Sequence, residues 1–281
     1  LLWFYQSGRV THSTGSLCKR KDGFVIRFTV LGSSSSANAV LVESADACIL
    51  VDNGFTFKKL TETLTGINRS VEEIEAVLVT HEHSDHVNGV GILARKMKVP
   101  VFMTRGCALA AYPRTGEIPD LRHFESGDTL SFGSLSAISF SVTHDAADPV
   151  NYVFTSGNAR LGLATDFGHC SQLARARLRD VHALIVESNY CPDMLRTGKY
   201  PPQLQQRIRS RMGHLSNLDM QALLRELCGG SLKLVVLSHI SRDNNTPEIA
   251  RSFAEEAVRG YDVAVHVAPP DRATPTFEVY P

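Results

Sequence analysis

Six consecutive positions, His81-Glu82-His83-Ser84-Asp85-His86, hold three imidazoles and an aspartate carboxylate. They directly follow the apolar run Ala76-Val77-Leu78-Val79-Thr80. A strand that ends in a turn this rich in donors aims several side chains at one small volume. Imidazole nitrogen and carboxylate oxygen suit zinc and similar divalent ions. His81 and His83 alternate onto one side of an extended segment, whereas Asp85 and His86 can face a second ion. Such a cluster points to metal-assisted hydrolysis. The competing reading is a polar surface turn. A lone histidine fits that reading; four donors at H-x-H-x-D-H spacing do not.

Further donors stand downstream. Asp166 ends the apolar stretch Gly162-Leu163-Ala164-Thr165. A buried carboxylate at a strand end is costly without a partner, so metal binding is the better account. His239 ends Leu234-Val235-Val236-Leu237-Ser238 in the same manner. His144 follows a strand, with Asp145 and Asp148 close by; alone it would read as an ordinary hydrogen-bonded histidine. His12, His123, His169, His182 and His266 match no pattern and read as structural or surface residues. His169 is near enough to Asp166 in sequence to support it from behind.

The elements that must position these side chains follow from periodicity. Phe24 to Leu31 is apolar and β-branched and predicts a strand. Gly32 to Asn38 predicts a tight polar loop that either turns the chain or presents backbone N–H groups to a phosphate. Ala39–Glu43 and Ala47–Val51 predict paired strands. Helices are expected over Phe57–Leu64, Gly89–Met97 and Ser171–Arg179, with a capped turn at Ser70-Val71-Glu72-Glu73. Strands are expected at Pro100–Met103, Thr129–Phe132, Leu135–Val142, Val150–Phe154, Arg160–Thr165, Ala183–Val186 and Leu234–Leu237. Three late helices follow: Pro201–Arg211, Leu218–Leu227 with Ser216 as N-cap and Gly229 beyond, and Pro247–Val258 capped by Thr246. The fold class is α/β: two mixed sheets face to face with helices outside, ligand-bearing loops along one edge.

The bulk composition fits this picture. The chain has 281 residues, 43% hydrophobic and 21% charged, ordinary values for a folded protein. Lys+Arg and Asp+Glu both number 29, so global charge gives no support to nucleic-acid binding, though a local basic patch can serve. Six cysteines at irregular spacing, without a C-x-x-C pair, predict reduced thiols and a cytoplasmic setting. Cys170 is expected to be a buried or supporting thiol rather than a nucleophile. No apolar run approaches the roughly 20 residues that span a bilayer, so no membrane association is expected. Residues 1–22 lack a signal-peptide core and read as a disordered or non-native extension. One domain is expected over 23–281.

The pattern resembles the metallo-β-lactamase superfamily. The resemblance rests on His81-x-His83-x-Asp85-His86 after a strand, then His144, Asp166 and His239. A narrower resemblance is to the YycJ/WalJ (VicX) branch. It rests on Gly32-Ser33-Ser34, Thr143-His144-Asp145-Ala146-Ala147-Asp148-Pro149-Val150, Gly213-His214-Leu215-Ser216-Asn217, and the string from Ser238 to Glu248. The resemblance implies an αββα sandwich with two divalent metal ions, Zn²⁺ or Mn²⁺, with Fe²⁺ also suited. His81, His83 and His144 would hold the first ion. Asp85, His86 and His239 would hold the second, and Asp166 would bridge them. A hydroxide between two cations roughly 3.5–4 Å apart is a nucleophile near neutral pH. His214 resembles the histidine near the scissile phosphate in related nucleases, so leaving-group protonation or phosphate contact is implied; the competing reading is a helix-start histidine bonded to backbone.

The resemblance also ranks reactions. The best-known zinc β-lactamases carry Cys where Asp166 stands, which disfavours antibiotic hydrolysis. Flavodiiron proteins usually carry Glu where His83 stands, which disfavours redox chemistry. The branch implies a 5′-to-3′ exonuclease on DNA, with RNA second. A small-molecule esterase, thioesterase or lactonase is the first rival, and a non-catalytic metal-binding regulator of cell-wall signalling is the second. Asp85 and His214 are the catalytic candidates. Ser33, Asn217, Arg207 and Arg211 are the substrate candidates, the two arginines expected on one helix face at i, i+4 within the basic run Arg196, Lys199, Arg207, Arg209, Arg211. A solvated helix face is the alternative for that run. One departure stands out. After Glu187-Ser188-Asn189 the chain reads Tyr190-Cys191, where members of the branch usually carry His-Asp.

Overall fold

Ile26–Ser34 (β1) and Ala37–Glu43 (β2) form an antiparallel hairpin with a register shift between Val30 and Gly32. The computed structural model describes residues 25–281; the expected extension over 1–22 and the fold start at residue 23 lie outside the described residues. The loop expected over Gly32–Asn38 is therefore mostly strand, because Ser33 pairs with Asn38 and Ser34 with Ala37. The serine run reads as polar loop in sequence, yet its hydroxyls find partners inside the hairpin. Ser33 Oγ donates to Asn38 Oδ1 at 3.0 Å, and Ser34 Oγ accepts the Ser36 N–H at 3.2 Å.

Cys48–Val51 (β3) continues the sheet antiparallel to β2, and Ala76–Leu78 (β4), Val101–Met103 (β5) and Leu121–His123 (β6) then add in parallel. The second sheet mirrors this plan. Thr129–Phe132 (β7), Leu135–Ser141 (β8), Val150–Ser156 (β9) and Ala159–Ala164 (β10) form an antiparallel meander. Ala183–Glu187 (β11), Leu234–Ser238 (β12) and Ala264–Val267 (β13) extend it in parallel. Phe277–Val279 (β14) pairs with β1 and closes the first sheet.

Alternation along the strands separates three cores. Phe28, Val42, Ile49 and Leu78 from one sheet meet Tyr152, Phe154, Leu163 and Ile185 from the other in the layer between the sheets. Full burial of a phenylalanine such as Phe28 or Phe154 contributes roughly 1.5–3 kcal/mol. Phe57–Gly66 (α1), Ser84–Val87 (α2), Val90–Met97 (α3) and Arg105–Thr115 (α4) cover the outer face of the first sheet. Gln172–Leu178 (α5), Asn217–Leu227 (α8) and Pro247–Ala257 (α9) cover that of the second. The result is the αββα sandwich. Between α5 and α8 lie two further helices, Pro192–Thr197 (α6) and Pro202–Arg209 (α7).

The caps form as expected. Ser216 Oγ accepts the Asp219 N–H, and Thr246 Oγ1 accepts that of Ile249 ahead of Pro247. Two departures matter. Helix α4 is absent from the sequence reading because it hides its period: Cys107 and Ala111 are buried, while Leu109 and Tyr112 stand exposed and Pro113 lies inside the helix. Helix α7 ends at Arg209 rather than Arg211, since Ser210 turns extended and its hydroxyl bonds back to the Arg207 carbonyl at 2.7 Å. Among the described residues, no helix is long and apolar enough to cross a membrane.

Candidate metal centre

Strands β3, β10 and β12 run out at one edge of the sandwich into residues that turn left-handed. Asp52 has φ +58°, Asp166 φ +50° and His239 φ +50°. A non-glycine residue in that region costs roughly 1–2 kcal/mol. All three are buried: Asp52 bonds to Thr80 and lies against His86, while Asp166 and His239 lie against each other. Such strain persists where the surrounding bonds over-determine it.

Asp52 shows how. Its Oδ1 accepts the Thr80 N–H at 2.8 Å, and its Oδ2 accepts the Thr80 hydroxyl and lies 2.8 Å from His86 Nδ1. The carboxylate thus holds the end of β4 and one face of the His86 ring. The Nε2 of His86 is left for the centre.

His81, His83 and His144 form the first donor group. His81 Nε2 lies 3.1 Å from His83 Nδ1, and His83 Nδ1 lies 3.3 Å from His144 Nε2. Tetrahedral zinc with nitrogen bonds of about 2.0–2.1 Å separates its ligands by roughly 3.3 Å, so these rings already stand at ligand spacing. Each buried ring is oriented from behind. Thr80 Oγ1 is 3.0 Å from His81 Nδ1, and the Gly213 carbonyl is 3.0 Å from His144 Nδ1. Burial pushes the pKa of His81 well down and lowers that of His144. Both are thereby kept in the neutral form a cation requires.

The second group is charged. His86 Nε2 lies 3.3 Å from both Asp85 Oδ2 and Asp166 Oδ2, and His239 Nδ1 lies 2.9 Å from Asp166 Oδ1. Burial opposes ionisation of these groups, but the pairing overrides it. His86 and His239 are held well above the ordinary histidine range, chiefly by Asp166, which they hold well below the carboxylate range. Asp85 and His86 sit on the short helix α2, not on a continued strand. Asn38 braces Asp85, donating its Nδ2 to Asp85 Oδ2 at 2.9 Å, and the same nitrogen stands 3.1 Å from His86 Nε2. Asp166 Oδ2 is buried without a hydrogen-bond partner, and His239 Nδ1 approaches Asp166 without hydrogen-bond geometry. A buried carboxylate oxygen among imidazoles with no donor aimed at it fits a cation.

Glu187, the last residue of β11, is the site residue the sequence reading missed. It is fully buried, and its Oε1 lies 2.6 Å from His214 Nδ1 and 3.3 Å from His239 Nδ1. Its Oε2 accepts the backbone N–H groups of Phe167 and Leu215 at 3.1 and 3.2 Å. Burial alone would lower the His214 pKa, but Glu187 raises it above the ordinary value. The signal was present: an apolar strand ending in an acid, the same signature that singles out Asp166.

The substrate candidates fall differently. Ser33 is buried; its Oγ accepts the His239 N–H at 2.8 Å while it donates to Asn38, so it braces donors rather than facing solvent. Asn217 is also buried. Its amide is taken up by the Ser188 hydroxyl at 2.7 Å and by Asn245 at 2.8 and 3.0 Å. Arg207 is exposed and donates its Nε to Asp145 Oδ2 at 2.7 Å. Arg211 is exposed but lies past the end of α7, so the two arginines do not share a helix face. Cys170 is buried, and burial pushes its thiol up to about 11, which fits an inert packing residue. The backbone carbonyl of His169 accepts from Thr143 Oγ1 at 3.3 Å. The Tyr190-Cys191 departure forms a neck: Tyr190 is buried and bridges to Ser216.

Comparison with known proteins agrees with this geometry. The family model described as the beta-lactamase superfamily domain matches residues 48–240. The chain is 36% identical over 264 residues to exodeoxyribonuclease WalJ of Streptococcus pneumoniae, spanning 90% of this chain and 98% of that protein. It is 35% identical over 242 residues to exodeoxyribonuclease YycJ of Bacillus anthracis, spanning 85% and 92%. The crystal structure of the metallo-beta-lactamase fold protein YhfI from Bacillus subtilis superposes with a TM-score of 0.69 at 18% identity, covering 91% of this chain and 100% of that one. The fold, the donor clusters and these relatives together assign the chain to the metallo-β-lactamase superfamily, in its WalJ/YycJ-like branch.

Proposed function

We propose that this protein is a metal-dependent phosphodiesterase that shortens DNA, with RNA as a secondary substrate, in the 5′-to-3′ direction. The observation that carries the reading is the Glu187–His214 pair, which forms one donor group with Asp166 and His239. Cleavage of a phosphodiester expels an alkoxide, which needs a proton; a thiolate leaving group does not. His214 is partly exposed and lines a cavity, with its Nδ1 bound to a buried carboxylate. Its Nε2 is left to give a proton to the departing oxygen. Glu187 fixes the ring and raises its pKa. The naming of two relatives as exodeoxyribonucleases over nearly their whole length supports the same substrate class.

Two divalent ions, Zn²⁺ or Mn²⁺ with Fe²⁺ also suited, would supply Lewis acidity and an acidified water. His81, His83 and His144 would hold one, Asp85, His86 and His239 the other, with Asp166 between them. Five free cysteines among the described residues accord with a reducing, cytoplasmic setting.

The test compares specificity constants for single-stranded DNA, a small carboxylic ester and a thioester in one metal-loaded preparation. The nuclease reading expects the oligonucleotide to lead by orders of magnitude. A thioester or lactone that leads instead would replace it.

A further inference from the structure

Between Glu187 and His214 the chain leaves the sandwich, builds α6 and α7, and returns. The two ends of this excursion are tied together: Asn189 donates its N–H to the Leu215 carbonyl at 3.0 Å, and Asn217 to that of Tyr190 at 2.9 Å. The return is pinned to the catalytic residues. His214 N–H bonds to the Ile208 carbonyl at 3.0 Å, and a Cβ on Gly168 would meet the Ser210 and Arg211 carbonyls at 2.6 Å. The C-terminal end of α7 is thereby tied directly to His214.

What α7 presents is unusual for a covering helix. None of its residues is fully buried, and its two apolar side chains, Leu204 and Ile208, belong to none of the three apolar cores. Spaced i, i+4, they share one face and wall a cavity of about 200 Å³ that reaches His214. Tyr200, Asn189, Ser35 and Ser241 supply its polar lining. That volume is below the roughly 300–1,000 Å³ of pockets for drug-sized ligands; it suits one nucleoside. An apolar wall with polar groups opposite is what an unstacked base requires: a surface for its face and partners for its edge. At the rim, Arg207 donates its Nε and an Nη to a single Asp145 oxygen, Oδ2, while the other oxygen lies 3.4 Å from His144 Nε2. A phosphate oxygen can take the place of that one carboxylate oxygen against the guanidinium.

We infer that this cavity receives the unstacked terminal nucleoside of a single-stranded substrate, and that Arg207 exchanges Asp145 for a backbone phosphate when it does. This rests on the nuclease reading and adds to it a subsite and an order of events. The subsite favours a free end over a paired one, because a paired base must first give up its pairing and stacking.

The test uses fluorescence anisotropy of dT12 on the chelated full-length protein, alongside hydrolysis of methyl 4-nitrophenyl phosphate by the metal-loaded protein. Leu204→Trp fills the cavity and is expected to weaken dT12 binding roughly tenfold. Arg207→Gln is expected to lower the slope of log Kd against log salt by about 0.7. A substrate-side probe needs no folding control: dT12 with one abasic terminal residue should bind the wild type roughly tenfold more weakly than intact dT12, and Leu204→Trp should not distinguish them. Equal binding of abasic and intact dT12 by the wild type, at both ends tested, would overturn the subsite while leaving the nuclease reading in place. A wild type that neither binds nor cleaves dT12 but turns over the small ester would remove the nuclease reading, and this inference with it.

Discussion

The hydroxyl oxygen of Ser33 accepts the backbone N–H of His239 at 2.8 Å, across 206 residues of sequence. The same hydroxyl donates to Asn38 Oδ1, and Asn38 Nδ2 donates to Asp85 Oδ2. One side chain in the first hairpin thus supports two donors of the second cluster, His239 directly and Asp85 through Asn38. Ser33→Ala leaves a buried N–H unsatisfied, at a cost of about 1–3 kcal/mol, and frees Asn38. Metal affinity at the second position is expected to fall about 10–100-fold. Competition with a chromophoric chelator measures this; stepwise affinities equal to those of the wild type would contradict it.

Glu187 and His214 act as a unit. His214→Ala is expected to reduce DNA cleavage by about 10²–10⁴ and to spare esters of 4-nitrophenol, whose leaving group needs no proton. Because Glu187 raises the His214 pKa, the protonated ring is present below that raised value and lost as pH rises through it. Glu187→Gln should therefore move the alkaline limb of the kcat/KM profile to lower pH. An unmoved limb would assign it to another group.

Metal affinity should depend on pH with a defined sign. His86 and His239 hold their protons above the ordinary histidine range because Asp166 lies against them. A cation must displace those protons, so affinity rises with pH until both rings are neutral. Binding should release protons and raise Tm, by the equivalent of about 4 kcal/mol at a thousandfold excess over Kd. Calorimetry in buffers of different ionisation enthalpy counts the protons; zero release would contradict the charge pattern.

Gly54 is fixed by close approach. A Cβ there would stand 2.0 Å from the Asp85 carbonyl oxygen and 2.8 Å from the Ala37 Cα. Gly54→Ala must push the α2 turn away from β2 and is expected to remove the second metal while leaving His81, His83 and His144 able to bind one. Metal content per chain, measured by mass spectrometry, should fall by half. An unchanged content would show that the loop yields without moving Asp85.

Much of this was legible in the sequence because buried polar donors at strand ends leave a strong mark. Asp166 and His239 each interrupt an apolar run, and H-x-H-x-D-H has no bland equivalent. Glu187 carried the same mark but lacked a neighbouring motif to draw attention to it. Asn38 and Asp52 were hidden for another reason: their roles depend on pairings between strands, and no local spacing encodes that Asn38 reaches Asp85 across 47 residues. Ser33 and Asn217 lay in the right strings, but burial turns them inward as braces. Arg211 failed on a boundary, since a helical period does not say where Ser210 will turn the chain.

Metal-dependent cleavage of nucleic acid is tested most directly by digestion of end-labelled, 5′-phosphorylated single-stranded DNA. Mn²⁺ and Zn²⁺ are supplied separately, with chelator and Asp85→Asn as controls. Progressive shortening from the 5′ end, abolished by chelator and by the substitution, is the predicted result. Intact DNA in the presence of protein shown to have bound its metals would contradict the account.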